Sequence, residues 1–536
     1  MQYIILWGII TLSYFCKFVI YRQIMSFDEL LDWNMLLAGY MSCLAASIAF
    51  ASIALIERKK YLSIFIMLII DLWMIANSIY TDANNVWIDW QVIANAGQIR
   101  GFEDSIISYL KWIYIAFLAI TVLSIYLTSM FVNVSRSRKR SWKIFGWTVL
   151  SASIIYLGTW VMRGPAFNNN LTPIRKEKLI IKTHSPAAHI IMVGTGSIKE
   201  EIMQRNAAIP LTDTEKQILS ICFTETVTQN PPQGHLVYIL VESLESWALK
   251  ATDTTGEPVC PNLNRYVHEH EVLFSDNIHS QQLYGRSGDG QLITQTGILP
   301  ISHGITCMRY GENIYPNLAH FYQDGVILNP FPKVWNQEVT TYSYGFKRLR
   351  EPSNIFNRGS DSIILAQARE ELEHVMSPVC VLAITINTHT PFYSAPTTMD
   401  LDEAYTKTEN RYLQCARYFD THAGRFLAWA DTAKTMQNAT IVITADHNHF
   451  PQKKGQGVCP LIIRSPNIKH FIYIPEAYQM DIFPTVLHAI GQSNYAWRGF
   501  GIDLLDSTAV RTISEEQAYS LSNRMIRTNF FAGQQK

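Results

Sequence analysis

The sequence predicts an α-helical membrane anchor at the N-terminus, joined once to an α/β domain. Three observations carry this. Five apolar runs crowd into the first 163 residues. No run of spanning length follows them. From about His235 the pattern changes to short apolar strands alternating with helices, which argues a largely parallel sheet. The overall composition averages these two parts. Of 536 residues, 48% are hydrophobic and only 16% charged, with 44 Lys+Arg against 44 Asp+Glu. This excludes a disordered chain, which is polar and charge-rich, and gives no support to a nucleic-acid binder, which shows a basic excess.

The apolar runs are residues 3–20, 35–55, 61–80, 106–132 and 142–162. Each approaches the ~20 residues that cross a bilayer as a helix. The first lacks a small-residue cleavage site before a soluble domain, so it reads as a span rather than a signal peptide. The second joint carries Arg58, Lys59 and Lys60; the fourth carries Arg136, Arg138, Lys139, Arg140 and Lys143. The first and third are mainly acidic, with Asp28, Glu29, Asp32, Asp82, Asp89, Glu103 and Asp104 against Arg22 and Arg100. The positive-inside rule places the N-terminus in the cytoplasm and everything after Met162 outside. Asp71, within the third run, is either a functional intramembrane acid or a helix-packing one, with Asn77 as its expected neighbour.

Residues 164–233 read as a connector, with Asn168–Asn170, Pro173 and Pro186. The domains are therefore 1–163, 164–233 and 234–536. In the last, the expected strands are 236–241, 272–275, 379–386, 440–444 and 461–464. The expected helices are 288–296, 362–375, 408–430 and 480–490. Two of the eight cysteines lie in spans and six in the external domain, where disulfides are permitted; no CxxC spacing suggests zinc.

Sheets of this kind place their sites at the carboxyl ends of strands. Glu242 ends the first strand, and a carboxylate there suits a hard cation, although it also suits a cap. Ser287, in Gly285-Arg286-Ser287-Gly288-Asp289, stands where a loop enters a helix. There it is either an N-cap or a nucleophile beside free backbone N–H groups. Asp289 reads as a first-turn acid and Glu245 as a weaker ligand than Glu242. An apolar strand ending in Asp446-His447 suits Mn²⁺ or Zn²⁺, against the alternative of a capping Asp and a surface His. His449 is second to these. His389, after a core strand, suits a phosphate contact or a proton carrier. Together Glu242, Ser287, Asp446 and His447 make one metal-site set, in which the metal would activate the Ser287 hydroxyl.

The pattern resembles the alkaline phosphatase superfamily, and more closely the lipoteichoic acid synthase-like membrane proteins with a sulfatase domain. The motifs are Val241-Glu242-Ser243, the Ser287 loop, Trp335-Asn336, Asn387-Thr388-His389-Thr390-Pro391-Phe392, Ala445-Asp446-His447, and Asp481-Ile482-Phe483-Pro484-Thr485 before Gly491. The resemblance implies a transmembrane part followed by an α/β sulfatase-like external domain. It implies Glu242, Asp446 and His447 as ligands of one divalent metal, with Ser287 as nucleophile touching that metal. It also implies His389, Trp335 and Arg286 on the substrate side. Ser replaces the Thr common in the synthases, and their Trp-Asn-Arg run reads Trp335-Asn336-Gln337, leaving Arg286 or Lys333 to supply the charge. The Cys/Ser-x-Pro-Ser-Arg signature of formylglycine sulfatases is absent.

The implied activity is transfer of a phosphoglycerol or phosphoethanolamine group. The donor is a phospholipid, the acceptor an envelope glycan or lipid, and the intermediate a covalent phospho-Ser. A phosphodiesterase or sulfuric ester hydrolase on the same fold is the alternative. A binding-only anchor and a transporter are further readings; the full metal-site set argues against the first, and the short joints against the second.

Overall fold

In the computed structural model each apolar run holds one long helix: α1 (Gln2–Ile24), α2 (Trp33–Ala51), α3 (Leu62–Asn84), α4 (Tyr114–Phe131) and α5 (Trp142–Met162). The structure describes residues 2–25, 33–56, 62–84, 87–88, 92–93, 106–107, 109–131, 142–162, 185–224, 230–351, 360–375, 377–392, 395–450 and 457–533. The joint residues Asp28, Glu29, Asp32, Arg58–Lys60, Asp89, Arg100, Glu103, Asp104 and Arg136–Arg140 lie outside these, as do Asn168–Asn170 and Pro173. Among the described residues four segments, Ile4–Ile24, Trp33–Leu55, Leu62–Asp82 and Tyr114–Phe131, are long and apolar enough to cross a membrane; α5, on the fifth expected span, is not among them. The fourth helix begins later than its apolar run, just past Lys111, whose ammonium pairs with Asp82 at 2.6 Å.

The chain divides into two compact units, Met1–Glu201 and Ile202–Lys536. In the first, α1 buries Leu6, Ile10, Tyr14, Phe18 and Tyr21 against Cys43, Met67, Ile70, Met74 and Phe117. Phe65, Ile69 and Leu72 on α3, and Val122 and Tyr126 on α4, face outward, as lipid-facing positions do. Inside the bundle, Lys17 Nζ lies 2.7 Å from both Asp71 oxygens, and Thr121 Oγ1 donates to Asp71 at 2.6 Å. Both charged side chains are wholly buried. Asp71 is thus a helix-packing acid, and its partner is a lysine in the first run that the sequence did not single out. Asn77 is not its neighbour. Six residues is about 240° around a helix, and Asn77 instead bonds Tyr21 and the Ile88 N–H.

The expected connector is shared between the units. Helix α6 (Pro186–Gly194) sets His189 against Trp73 and Trp87, at ring distances of 5.7 and 6.4 Å, and Ser185 N–H donates to Ser42. Helix α7 (Asp213–Cys222), started by a Thr212–Glu215 capping box, belongs to the second unit. There Glu215 takes Arg524 at 2.7 Å on both oxygens, and Phe223 pairs with Trp497. The boundary between compact units falls after Glu201, inside the expected connector 164–233.

Among its described residues the second unit holds a nine-stranded sheet: β1 (Leu236–Val241), β2 (Val272–His279), β3 (Asp324–Leu328), β4 (Arg348–Arg350), β5 (Val379–Ile384), β6 (Thr440–Ala445), β7 (Val458–Arg464), β8 (Ile472–Tyr473) and β9 (Ala477–Tyr478). The order is β4-β3-β5-β1-β6-β7-β2-β8, with β9 also on β2. From β4 to β6 neighbours are parallel; β7 is antiparallel to both β6 and β2. All five expected strands are present. β3 is missed because Asp324-Gly325 leaves only a three-residue apolar run, and β4 because it is a short, Arg-flanked edge strand. Around the sheet lie α8 (Pro261–Glu269), α9 (Ser287–Thr296), α10 (Asp361–Glu373), α11 (Lys407–Thr432), α12 (Ile482–Ala489) and α13 (Glu515–Arg527). Helix α11 packs on α8 and α10, and α9 packs on α12. All eight cysteines are free thiols, and only Cys16 is exposed.

Candidate metal and nucleophile site

Strand register brings the two carboxylates together. β1 and β6 run parallel with Val241 opposite Ala445, so Glu242 and Asp446 leave the sheet side by side at its carboxyl end. Glu242, Asp446 and His447 each offer one ligand atom, and these lie within 4.8 Å of one another. His447 Nε2 is 3.5 Å from Glu242 Oε1 and 3.6 Å from Asp446 Oδ2. His447 Nδ1 sits 3.1 Å from the Asn448 carbonyl, an acceptor, which assigns the proton to Nδ1 and turns the Nε2 lone pair to the cluster.

The fourth member arrives on α9. Ser287 Oγ donates to Glu242 Oε2 at 3.1 Å and lies 3.3 Å from His447 Nε2. Ser287 is the first residue of the helix, not its cap; the cap is Arg286, at φ 43°. At the helix start Gly288 N–H bonds the Gly285 carbonyl at 2.8 Å, while Gly290 N–H makes the first regular helical bond, to the Arg286 carbonyl at 2.9 Å; among the described residues no backbone acceptor meets the Ser287 N–H. Asp289 holds the turn at Arg286: its Oδ2 accepts the N–H groups of Leu283 and Gly285, both at 2.8 Å.

Glycine permits the approach of α9. A methyl on Gly290 would lie 2.1 Å from the Asp446 carbonyl oxygen. One on Gly288 would lie 2.8 Å from Cys307 Sγ and 3.4 Å from Trp335 Cβ, so Trp335 flanks the first turn of α9. Trp335 and Asn336 both take φ near 55°, and Asn336 donates to the Cys307 carbonyl at 3.0 Å. Gln337 is wholly buried, bonded to Asn329 and Thr340, so this position faces inward. Lys333 is exposed.

Around the cluster, Arg286 is almost wholly buried, and its charge acts on Glu242, His447 and His389. His389 Nδ1 meets the Thr390 carbonyl at 2.6 Å, and burial pushes its pKa down. Its turn is held by Asp361 at the start of α10. Asp361 Oδ1 accepts from Ile386 and Asn387 N–H at 2.8 and 3.0 Å, and Asn387 Oδ1 accepts from Asp361 N–H at 2.6 Å.

The sequence reading missed several supports. Ser243 N–H donates to Asp446 Oδ1 at 2.8 Å and its hydroxyl to Glu242 Oε1 at 2.7 Å. Thr388 donates to the Glu242 carbonyl, and Gln479 to the Asp446 carbonyl at 2.6 Å. Only Ser243 carried a signal, its place beside Glu242.

The electrostatics favour a cation. Burial raises the pKa of Glu242, and burial with Glu242 beside it raises that of Asp446 strongly. Burial, together with the Arg286 charge, pushes His447 down. Asp446 Oδ2 is buried with no hydrogen-bond partner. Two carboxylates, one imidazole and a hydroxyl are a donor set that fits one divalent ion.

The Sulfatase family matches residues 235–492. The chain is 25% identical over 315 residues to lipoteichoic acid synthase 1 of Bacillus subtilis, covering 52% of this chain and 49% of that one. It is 22% identical over 494 residues to the lipoteichoic acid synthase of Staphylococcus saprophyticus, covering 84% and 75%. It thus spans about half the length of the first relative. Among solved structures it is similar to the lipooligosaccharide phosphoethanolamine transferase EptA of Neisseria meningitidis. That likeness has a TM-score of 0.52 at 14% identity and covers 93% of this chain and 96% of that one. It is also similar to the lipoteichoic acid synthase LtaP of Listeria monocytogenes, with a TM-score of 0.50 at 15% identity, covering 59% and 98%. Residues 235–492 are therefore a Sulfatase domain, of the alkaline phosphatase superfamily, in a chain homologous to lipoteichoic acid synthases.

Proposed function

We propose that the chain is a membrane-anchored phosphotransferase that moves a phosphoglycerol or phosphoethanolamine group from a phospholipid donor to an envelope glycan or lipid. The observation that carries this reading is the Ser287 hydroxyl, held against Glu242 and His447 beside a three-ligand cluster. The relatives named as lipoteichoic acid synthases support the reaction class, and the fold likeness to EptA is consistent with it.

Glu242, Asp446, His447 and the Ser287 hydroxyl would hold one divalent metal, Mn or Zn. When bound, it supplies Lewis-acid stabilisation of phosphoryl charge and makes the hydroxyl more acidic. The chain's own groups do the rest. Ser287 Oγ loses its proton and forms a bond to phosphorus as the bond from phosphorus to the diglyceride oxygen breaks; that oxygen takes up a proton and leaves as diglyceride, and Ser287 carries the phosphoryl group with its head group. Arg286, His389 and the Ser287 N–H stand to meet the equatorial oxygens. Trp335 borders the donor side. An acceptor hydroxyl then attacks phosphorus and frees Ser287. The catalytic domain lies outside the cytoplasmic membrane, with the N-terminus inside.

The test is mass spectrometry of the purified full chain after incubation with Mn²⁺ and defined phospholipids. The mass added to the Ser287 peptide names the transferred group. Product formed only in the presence of an acceptor supports transfer; turnover that needs only water makes the chain a hydrolase. An unmodified Ser287 in a chain that turns over removes the covalent mechanism.

A further inference from the structure

Glu245 lies three residues beyond Glu242 and is wholly buried, yet it stands outside the ligand cluster. Its Oε1 accepts the N–H groups of His449 at 2.8 Å and Phe450 at 2.6 Å. Its Oε2 accepts Gly457 N–H and Trp247 Nε1–H, both at 2.9 Å. Three of these four donors are main-chain groups of the segment that follows β6, and that segment begins with Asp446 and His447. One carboxylate on the β1 loop therefore holds the β6 loop, while its neighbour Glu242 meets the same loop at the ligand cluster. Tyr412 ties the two together: Glu245 N–H donates to its hydroxyl at 2.7 Å, and that hydroxyl donates to the Ser243 carbonyl at 3.0 Å. Phe450 and Trp247 close around the carboxylate, each with a ring near Tyr412, at 5.1 and 5.3 Å. A buried carboxylate with four N–H donors is satisfied without any cation.

We propose that Glu245 is a positioning residue of the metal site: it fixes the backbone carrying Asp446 and His447 before an ion arrives, and so raises the affinity for that ion. The inference rests on the metal reading of Glu242, Asp446 and His447. Glu245→Gln is the informative change. It keeps the volume and one acceptor oxygen, but in either orientation sets an amide NH₂ against two of the four donors. Outer-shell partners of metal ligands typically influence affinity by about 10–100-fold.

The experiment uses the full chain in detergent, stripped of metal and titrated with Mn²⁺, with free Mn²⁺ read by electron paramagnetic resonance. Glu245→Gln is expected to weaken Mn²⁺ binding about tenfold or more, while turnover at saturating Mn²⁺ returns close to the parent value. Trp247→Phe, which removes one donor of four, is expected to shift affinity in the same direction by less. Deuterium exchange on the metal-free parent supplies a readout that needs no variant: the amides of His449, Phe450 and Gly457 are expected to exchange slowly. Fast exchange there, or unchanged Mn²⁺ affinity in Glu245→Gln, overturns the inference. A parent that binds neither Mn²⁺ nor Zn²⁺ overturns the metal reading instead, so the two failures are distinguishable.

Discussion

Ser287 has its hydroxyl on two members of the cluster and only a half-buried side chain, so chemistry and stability separate there. Ser287→Ala is expected to lower turnover on the order of 10³-fold or more, as loss of a nucleophile does, with the thermal midpoint little changed. Turnover within a factor of a few of the parent would remove Ser287 from the mechanism. Glu242→Gln keeps the shape but loses a charge beside Asp446, and is expected to abolish Mn²⁺ binding in an equilibrium titration. The four residues of the expected set, which the structure brings together, stand out in the sequence because each sits at a strand end or helix start, where polar residues interrupt an apolar run. Glu245, Thr388 and Gln479 were not legible. Their work is with backbone groups far away in sequence, and no spacing records a partner 204 residues off, as His449 is from Glu245.

At the scale of elements, two contacts make the site depend on how helices seat. Helix α9 meets the β6 loop at Gly290, where an added methyl would fall 2.1 Å from the Asp446 carbonyl oxygen and 2.8 Å from its Cα. Backbone cannot step aside as a side chain end does. Gly290→Ala is therefore expected to cost about 3 kcal/mol, the upper range for overpacking, and to weaken metal binding, both checked by calorimetry. Stability loss without weaker binding would show that α9 and Asp446 move independently. Helix α10 reaches the His389 turn through Asp361, whose carboxyl burial raises to about 6. An unfolded Asp titrates near 3.9, so the folded chain holds this proton more tightly than the unfolded one. Its contribution to stability is complete below about pH 4 and is lost as pH rises toward 6. Asp361→Asn stays neutral throughout and keeps an oxygen for the Ile386 and Asn387 amides. Its thermal midpoint relative to the parent is expected to rise across that window and level off above it; a pH-independent difference contradicts the assignment. The α10 and α11 helices were legible from their apolar periodicity. Strands β3 and β4 and the antiparallel setting of β7 were not, because pairing direction leaves no mark in a short apolar run.

At the scale of the whole molecule, the balanced charge conceals two unlike parts. Residues 1–163 hold 13 Lys+Arg against 9 Asp+Glu, and the remainder 31 against 35. What the count does not reveal is that one of those basic residues is spent inside the bundle. Lys17 and Asp71, with Thr121, join α1, α3 and α4 by contacts of 2.7 Å or less, with both charges wholly buried. In an apolar interior the pair is stable only as a pair. Asp71→Asn leaves an ammonium without its counter-charge and is expected to cost ~3–5 kcal/mol, the range for breaking a buried pair. Lys17→Met leaves the carboxylate and is expected to cost a similar amount. Combining Lys17→Met with Asp71→Leu removes both charges, and replacement of a whole buried pair by apolar groups is often neutral or better. The double variant is therefore expected to be more stable than either single one, read as thermal unfolding of the detergent-solubilised full chain. Losses that simply add would mean the two charges do not act on each other, and the bundle would then owe its register to the apolar stripe of α1 alone. If coupling is found, Asp71 is explained as a joint between spans, and the chemistry of the chain is left to the far end of β1 and β6.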